Sequence, residues 1–286
     1  MTVNTVCVVG LGLIGGSLAR AIKENTECRV FGCDLDRSVL LAAKTAGAID
    51  GILGEDGELR DCDLTLVALY PAATAAFIRE HAADFRRGSV VCDTCGVKRA
   101  ICPEAFALAR EHGFRFVGTH PMAGTQFSGF SHSRASMFRA APLLLVADEG
   151  EDFALLGDLH DFFASLGFAG IRFTSPEEHD RMIAYTSQLA HVVSSAYVKS
   201  PQARSQKGFS AGSWRDLTRV ARLNADMWAD LFLANGDFLA DELDILIENL
   251  TKYRDEIRGG DFDALRADLA EGTALKIAAE KAEAGK

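Results

Sequence analysis

Along the first 175 residues, short apolar runs rich in β-branched side chains alternate with stretches whose apolar positions recur every three or four residues. The runs at 5–9, 29–33, 64–69, 89–93, 115–118, 143–147 and 171–173 predict strands, and the stretches at 16–23, 37–46, 72–85, 97–112 and 153–166 predict helices. Strands separated by helical patterns of roughly 10 to 15 residues mean a doubly wound, mainly parallel α/β sheet with helices on both faces.

The pattern changes after residue 174. Ser175 can cap a helix, Pro176 suits its first position and Glu178 closes a capping box, so a long helix is expected over 176–197. Met182, Leu189, Val193 and Ala196 recur within it at helical spacing, and 214–225, 228–250 and 262–282 continue the period without strand-like alternation. Two domains are expected, a sheet domain over 1–174 and an all-helical domain over 175–286. No linker separates them, so the first long helix should pack directly against the sheet. The tail from Gly259 is too short for an added regulatory domain.

Composition narrows the function classes. The 286 residues are 48% hydrophobic and 24% charged, which suits an ordinary globular enzyme. A net charge of -10 argues against a face for nucleic acid or anionic membrane, which would need basic residues to displace counterions, but leaves room for a small anion held by local arginines. The start of the chain lacks the pattern of a secretory leader, and no apolar run nears the roughly 20 residues of a membrane span, so a cytoplasmic protein is expected. Seven cysteines form an odd set, several inside apolar strands, as buried thiols in a reducing compartment do. Cys92 and Cys95 have C-x-x-C spacing, but they enclose Asp93 and Thr94 at a predicted strand end, and neither a redox nor a metal role is expected.

Gly10-Leu11-Gly12-Leu13-Ile14-Gly15 follows the first strand and opens the first helix. In that context it reads as a Rossmann-type dinucleotide loop: Gly10 permits the tight turn, Gly12 lets backbone approach a pyrophosphate, and Gly15 lets helix and strand pack closely. Asp34 ends the second strand, where a carboxylate accepts from ribose hydroxyls and repels a 2'-phosphate, so NAD is expected. Asp34 can also be read as a turn residue, a role that Asp36 would fill equally well, and Arg37 keeps NADP open. Leu69 and Tyr70, closing the third long strand, are placed at the same cofactor edge.

A bound dinucleotide fixes the reaction type as hydride transfer, and in an open parallel sheet the reacting groups lie beyond the C-terminal strand ends. His120 in Gly118-Thr119-His120-Pro121 falls at such an end, and a histidine near its ordinary pKa can take a proton at neutral pH. In the helical part, Ser187 and His191 share a helix face, as do Arg215 and Arg219 in the block that begins at Gly212. Either guanidinium could grip a carboxylate; the alternative is a solvated face with an Asp216 to Arg219 pair.

Together these blocks resemble the prephenate/arogenate dehydrogenase family over nearly the whole chain. The resemblance rests on Gly10 to Ser17, Asp93-Thr94-Cys95-Gly96-Val97-Lys98, Thr119-His120-Pro121-Met122-Ala123-Gly124, Ser187 to His191, and Asp216-Leu217-Thr218-Arg219 to Trp228. It implies an NAD-dependent oxidative decarboxylation on the route to tyrosine and a homodimer built by the helical domain; with only a short tail from Gly259 and no separate effector domain, any inhibition by tyrosine is expected to compete with substrate. It also implies that His120 hydrogen-bonds the ring 4-hydroxyl, that Arg219 binds a substrate carboxylate, and that His191 lines the pocket with Gln126, Arg215, Gly212 and Gly96 nearby. Three places depart from the family pattern. Gly96 stands where many members carry serine, Gln188 and Ala190 interrupt a Ser-His-Leu-Pro-His run, and Gln126 replaces a common glutamate, which leaves the choice between prephenate and arogenate open. Two rivals share parts of this pattern. A β-hydroxyacid dehydrogenase would carry a lysine on the long helix, whereas 176–197 has none; a silent NAD-binding sensor would not need His120, His191 and Arg219 together.

Overall fold

The computed structural model describes residues 2–284. Strands β1 (Thr5–Val9), β2 (Arg29–Cys33), β3 (Gly51–Ile52), β4 (Leu64–Val67), β5 (Val90–Asp93), β6 (Arg115–Pro121), β7 (Leu143–Ala147) and β8 (Ile171–Phe173) form one sheet in the order β3-β2-β1-β4-β5-β6-β7-β8. All seven expected strands are present, and the two-residue β3 is an addition too short to leave a pattern. Helices α1 (Leu13–Asn25), α2 (Arg37–Thr45), α3 (Pro71–Glu80), α4 (Cys102–His112) and α5 (Phe153–Ser165) link them. Successive side chains on a strand face opposite ways, and β1 shows the result. Val6 and Val8 enter a core with Leu18 and Ile22 of α1 and Leu159 and Phe163 of α5; Cys7 and Val9 enter the opposite core with Ile78 of α3 and Ala105 of α4.

The sheet is not parallel throughout. β7 pairs antiparallel with β6 from Val117↔Ala147 to Pro121↔Leu143, and β8 then runs parallel to β7. Between β6 and β7 the chain makes only two 3-10 turns, Phe130–His132 and Ala135–Phe138, and without a crossover helix it can only return beside the strand it left.

The helical part follows from α6 (Pro176–Ile183) through a π turn (Ala184–Leu189) into α7 (Ala190–Tyr197), and then α8 (Gly212–Thr218), α9 (Ala225–Ala234), α10 (Gly236–Gly259) and α11 (Phe262–Ala284). Ser175 accepts from the Glu178 backbone as expected, but Glu178 takes the Thr174 hydroxyl at 2.8 Å instead of closing the capping box. The stretch expected as one helix over 214–225 ends at Thr218, because Asn224 starts a new helix by accepting from Met227 N at 3.2 Å. Asn235 likewise divides 228–250. The long helix has a polar buried face made by His179, Asp180, Gln188 and Ser194, whereas Met182 is exposed. Among the described residues, those up to Gly236 form one compact unit and those from Asp237 a second.

Candidate active site

The glycine loop has the tightness its sequence implied. Gly10 adopts φ +83°, and a Cβ there would lie 2.5 Å from the Ala68 carbonyl oxygen; one on Gly15 would lie 1.9 Å from the Gly10 carbonyl oxygen. Leu13 and Ile14 are part-buried against the core, but around Gly12 a Cβ would meet nothing within 4 Å, so the loop is open where α1 begins. That is the cradle a dinucleotide pyrophosphate needs, presented at a helix N-terminus. Asp34 closes the loop from the side: its Oδ2 accepts from Leu11 N at 2.8 Å and its Oδ1 from Asp36 N at 2.9 Å. Asp36, not Asp34, caps α2, through Ser38 N. The Arg37 guanidinium is paired with Glu55. Across the loop, Leu69 is half-buried and Tyr70 exposed at the entry to α3.

His120 sits next to last on β6, and its Nδ1 lies 2.9 Å from His179 Nε2 on α6. His179 Nδ1 in turn lies 2.7 Å from Asp180 Oδ1. The chain fixes both tautomers. A carboxylate only accepts, so His179 donates from Nδ1 and keeps a lone pair on Nε2; His120 then donates from Nδ1 and keeps its lone pair on Nε2. Asp180 also accepts from Lys98 N at 2.8 Å and Arg99 N at 2.9 Å. Burial pushes the Asp180 carboxyl up, but these donors and His179 outweigh it and hold it below the usual range. Burial, reinforced by His179 and Lys98, holds His120 well below the ordinary histidine value, so the ring is neutral. Lys98 is itself fully buried and paired with Asp93, whose Oδ1 accepts from Thr119 N at 3.1 Å. Beside His120, a Cβ on Gly96 would lie 3.7 Å from His120 Nε2 and 3.5 Å from Leu231 Cδ2, in ordinary contact with both.

A second group forms around His191. Its Nδ1 donates to the Ser187 carbonyl at 2.8 Å, and its ring stacks on Trp228 with centroids 3.9 Å apart. Burial lowers its pKa, the bond to Ser187 opposes this, and the nearby Arg219 lowers it further. Arg219 follows α8 and is exposed, as are Arg215 and Gly212. No Asp216 to Arg219 ion pair forms among the described residues. Gln126 is exposed in the β6 to β7 connection. The fold thus gathers His120 with Gly96, and His191 with Arg219 and Trp228, while Arg215, Gly212 and Gln126 have no side-chain tie to either group among the described residues. Sequence reasoning missed His179 and Asp180 as partners of His120. Their signal was a His-Asp pair one turn into a well-capped helix expected to lie on the sheet. Burial pushes the Cys95 thiol of the C-x-x-C pair up to about 12 and raises that of Cys92 as well, which disfavours the thiolate. Of the seven cysteines, all free, only Cys33 is part-exposed.

Residues 18–171 match the profile of the prephenate dehydrogenase nucleotide-binding domain, and 175–271 that of the prephenate dehydrogenase dimerization domain. The chain belongs to the prephenate dehydrogenase family. It is 29% identical to a cyclohexadienyl dehydrogenase of Zymomonas mobilis, covering 96% of this chain and 95% of that one. It is 28% identical to a prephenate dehydrogenase of Bacillus subtilis, covering 92% and 72%. Among solved structures, the prephenate dehydrogenase of A. aeolicus in complex with hydroxyphenyl propionate and NAD+ has the same fold, with a TM-score of 0.84 at 23% identity over 97% of this chain and 98% of that one.

Proposed function

We propose that this chain oxidises and decarboxylates prephenate to 4-hydroxyphenylpyruvate with NAD, on the route to tyrosine. The observation that carries the reading is the lone pair on His120 Nε2, presented at the C-terminal edge of a dinucleotide-binding sheet and fixed from behind by His179 and Asp180. Gly10, Leu11, Gly12, Leu13, Ile14 and Gly15 hold the pyrophosphate, Asp34 the adenosine ribose, and Leu69 and Tyr70 the nicotinamide side. Arg37 is in an exposed pair with Glu55, so the preference for NAD rests on Asp34.

NAD, when bound, takes up the hydride from the ring carbon that bears the 4-hydroxyl. His120 Nε2 accepts the hydroxyl proton as the hydride leaves and returns it to the phenolate oxygen once the ring is aromatic, a contribution worth about 100- to 10,000-fold in rate. As positive charge develops on His120, its Nδ1–H bond to His179 strengthens, and Asp180 keeps His179 turned to receive it. The ring carboxylate departs as carbon dioxide, and aromatisation makes the step irreversible. Arg219 grips the remaining carboxylate, and His191, held neutral against Trp228, lines the pocket with Arg215, Gly212, Gln126 and Gly96. Residues 1–174 serve the nucleotide, while 175–286 bind substrate and build a homodimer. The exposed Ile245, Leu250, Ile257, Leu269 and Ile277 of α10 and α11 supply apolar surface for that contact. Free, mostly buried thiols suit the cytoplasm. Tyrosine, sharing the ring and a carboxylate, inhibits by competing with substrate; a fall in maximal rate without a change in apparent affinity would overturn this.

Arogenate is the second reading. Gln126 carries an uncharged amide that can donate to a keto group or accept from an ammonium, and the Zymomonas mobilis relative is a cyclohexadienyl dehydrogenase. Purified protein with NAD and either prephenate or arogenate, followed by NADH absorbance, tests both. No NADH from either substrate would overturn the proposal and leave a silent NAD-binding protein.

A further inference from the structure

The polar chain behind His120 continues past Asp180. Asn235, fully buried at the break between α9 and α10, donates from Nδ2 to the Asp180 carbonyl oxygen at 2.8 Å and to Gln188 Oε1 at 2.8 Å. Its Oδ1 accepts from Arg99 Nη2 at 3.0 Å. The amide can sit only this way round, because a flip would set its oxygen against two acceptors and its hydrogens against a donor. Gln188 is buried too, and donates from Nε2 to the Leu231 carbonyl at 3.0 Å. Arg99 returns to Asp180 through its backbone N–H, so a closed ring runs Asn235, Asp180, Arg99. The ring ties α6, the loop after β5 and the end of α9 together at one point.

Gln188 also lies on the π turn Ala184–Leu189. From His179 to His191 is twelve residues, which in an unbroken α-helix at about 100° per residue would leave the two rings about 120° apart. A π turn acts as one inserted residue, so eleven α-helical steps remain and the offset falls to about 20°. The π turn therefore returns His191 to the helix face that carries His179. The Gln188 side chain in that turn is held from outside by Asn235 and by the Leu231 carbonyl.

We propose that Asn235 and Gln188 are positioning residues for the reaction. They hold the helix in its π register, and so aim His179 at His120 and His191 at the substrate pocket. Neither touches substrate or coenzyme. The inference rests on the prephenate dehydrogenase reading for its kinetic consequences, but not for its effect on the His120 ring itself. The charged and titratable groups facing that ring are His179 and Asp180 from α6, with Lys98 and Asp93 from the loop and strand opposite; Arg99 stands behind Asp180.

Asn235→Leu and Gln188→Met keep volume while removing the hydrogen bonds. Since a misplacement of about 1 Å costs about 100-fold in turnover, each variant is expected to lose roughly 10- to 100-fold in kcat. The Michaelis constant for NAD should stay within about twofold, because the glycine loop is untouched, while that for substrate rises as His191 turns away. Water entering the loosened ring relieves the burial that lowers His120, so its pKa rises. NMR titration of the His120 imidazole, assigned by its loss in His120→Asn, reads that rise without any substrate. An unmoved His120 titration, in variants that melt as folded proteins, overturns the inference even if turnover falls. Should Asn235→Leu fail to fold, Gln188→Met decides alone. An inactive parent would sink the functional reading yet leave the titration as the test of this one.

Discussion

Behind His120, the relay through His179 and Asp180 is buried and joined by hydrogen bonds, whereas α8 buries no residue and the Arg219 guanidinium makes no hydrogen bond or ion pair among the described residues. Under the proposed reaction the difference follows from what each group would do. A proton acceptor works only within hydrogen-bond reach and in one tautomer, so its surroundings must be preorganised. A cation attracts a carboxylate over several ångströms and closes on it when substrate arrives, so it can wait in water. The relay end should therefore govern turnover and the α8 end affinity.

The sharpest way to break that contrast is His120→Asn, which should lower kcat by about 100-fold or more with little change in the substrate Michaelis constant; steady-state kinetics with near-parental turnover would refute it. Arg219→Ala should do the reverse. It removes a charge-assisted hydrogen bond worth about 1.5–3 kcal/mol, or roughly 10- to 150-fold in the Michaelis constant, at nearly parental kcat. Interchanged phenotypes would reverse the role assignment. The pH profile sharpens the first result. Burial holds His120 below the ordinary histidine value of about 6.5, and the base acts when unprotonated, so kcat/KM should stay level down through that pH and fall only at more acid values. A limb at or above 6.5 would show that another group controls the rate.

The coenzyme end should respond less. Asp34→Ser removes the carboxylate at the end of β2 and should narrow the preference for NAD over NADP by about 1.5 kcal/mol, roughly tenfold, in a comparison of catalytic efficiencies. Equal efficiency with both coenzymes in the parent would end the assignment. Smallest of all is Gly96→Ser. A Cβ there makes no contact shorter than 3.5 Å, so the substitution should stabilise by about 0.4–1 kcal/mol through the unfolded chain, with turnover at or above the parent's. A lower melting temperature with lower turnover would mean that the space beside His120 is already needed.

Much of the fold and part of this contrast are legible in the sequence. Seven strands showed themselves because a sheet covered on both faces needs continuous apolar runs, and the glycine loop because only glycine fits at Gly10 and Gly15. His120 was legible because Pro121 and Gly124 end the strand just past it. The long helix was the hard case. Met182, Leu189, Val193 and Ala196 betray its period but not its buried side, because the interior is a polar network whose members read in sequence as solvent-facing. The π turn was invisible for a related reason: one inserted residue hardly disturbs an apolar repeat, though it swings every later side chain by about 100°. The breaks at Asn224 and Asn235 each depend on a single side chain, one capping a helix and the other serving a partner elsewhere in the chain.

Cys33 offers a practical use for the uneven burial of the thiols. It ends β2 immediately before Asp34, and it alone among the seven is part-exposed. Burial and the adjacent Asp34 raise its pKa, so alkylation calls for mildly alkaline buffer. A fluorescent maleimide would then mark one atom at the rim of the nucleotide cradle without any cysteine being engineered away. A change in its emission on adding coenzyme would follow binding with no substrate turned over, and no change would place the coenzyme away from this end of β2.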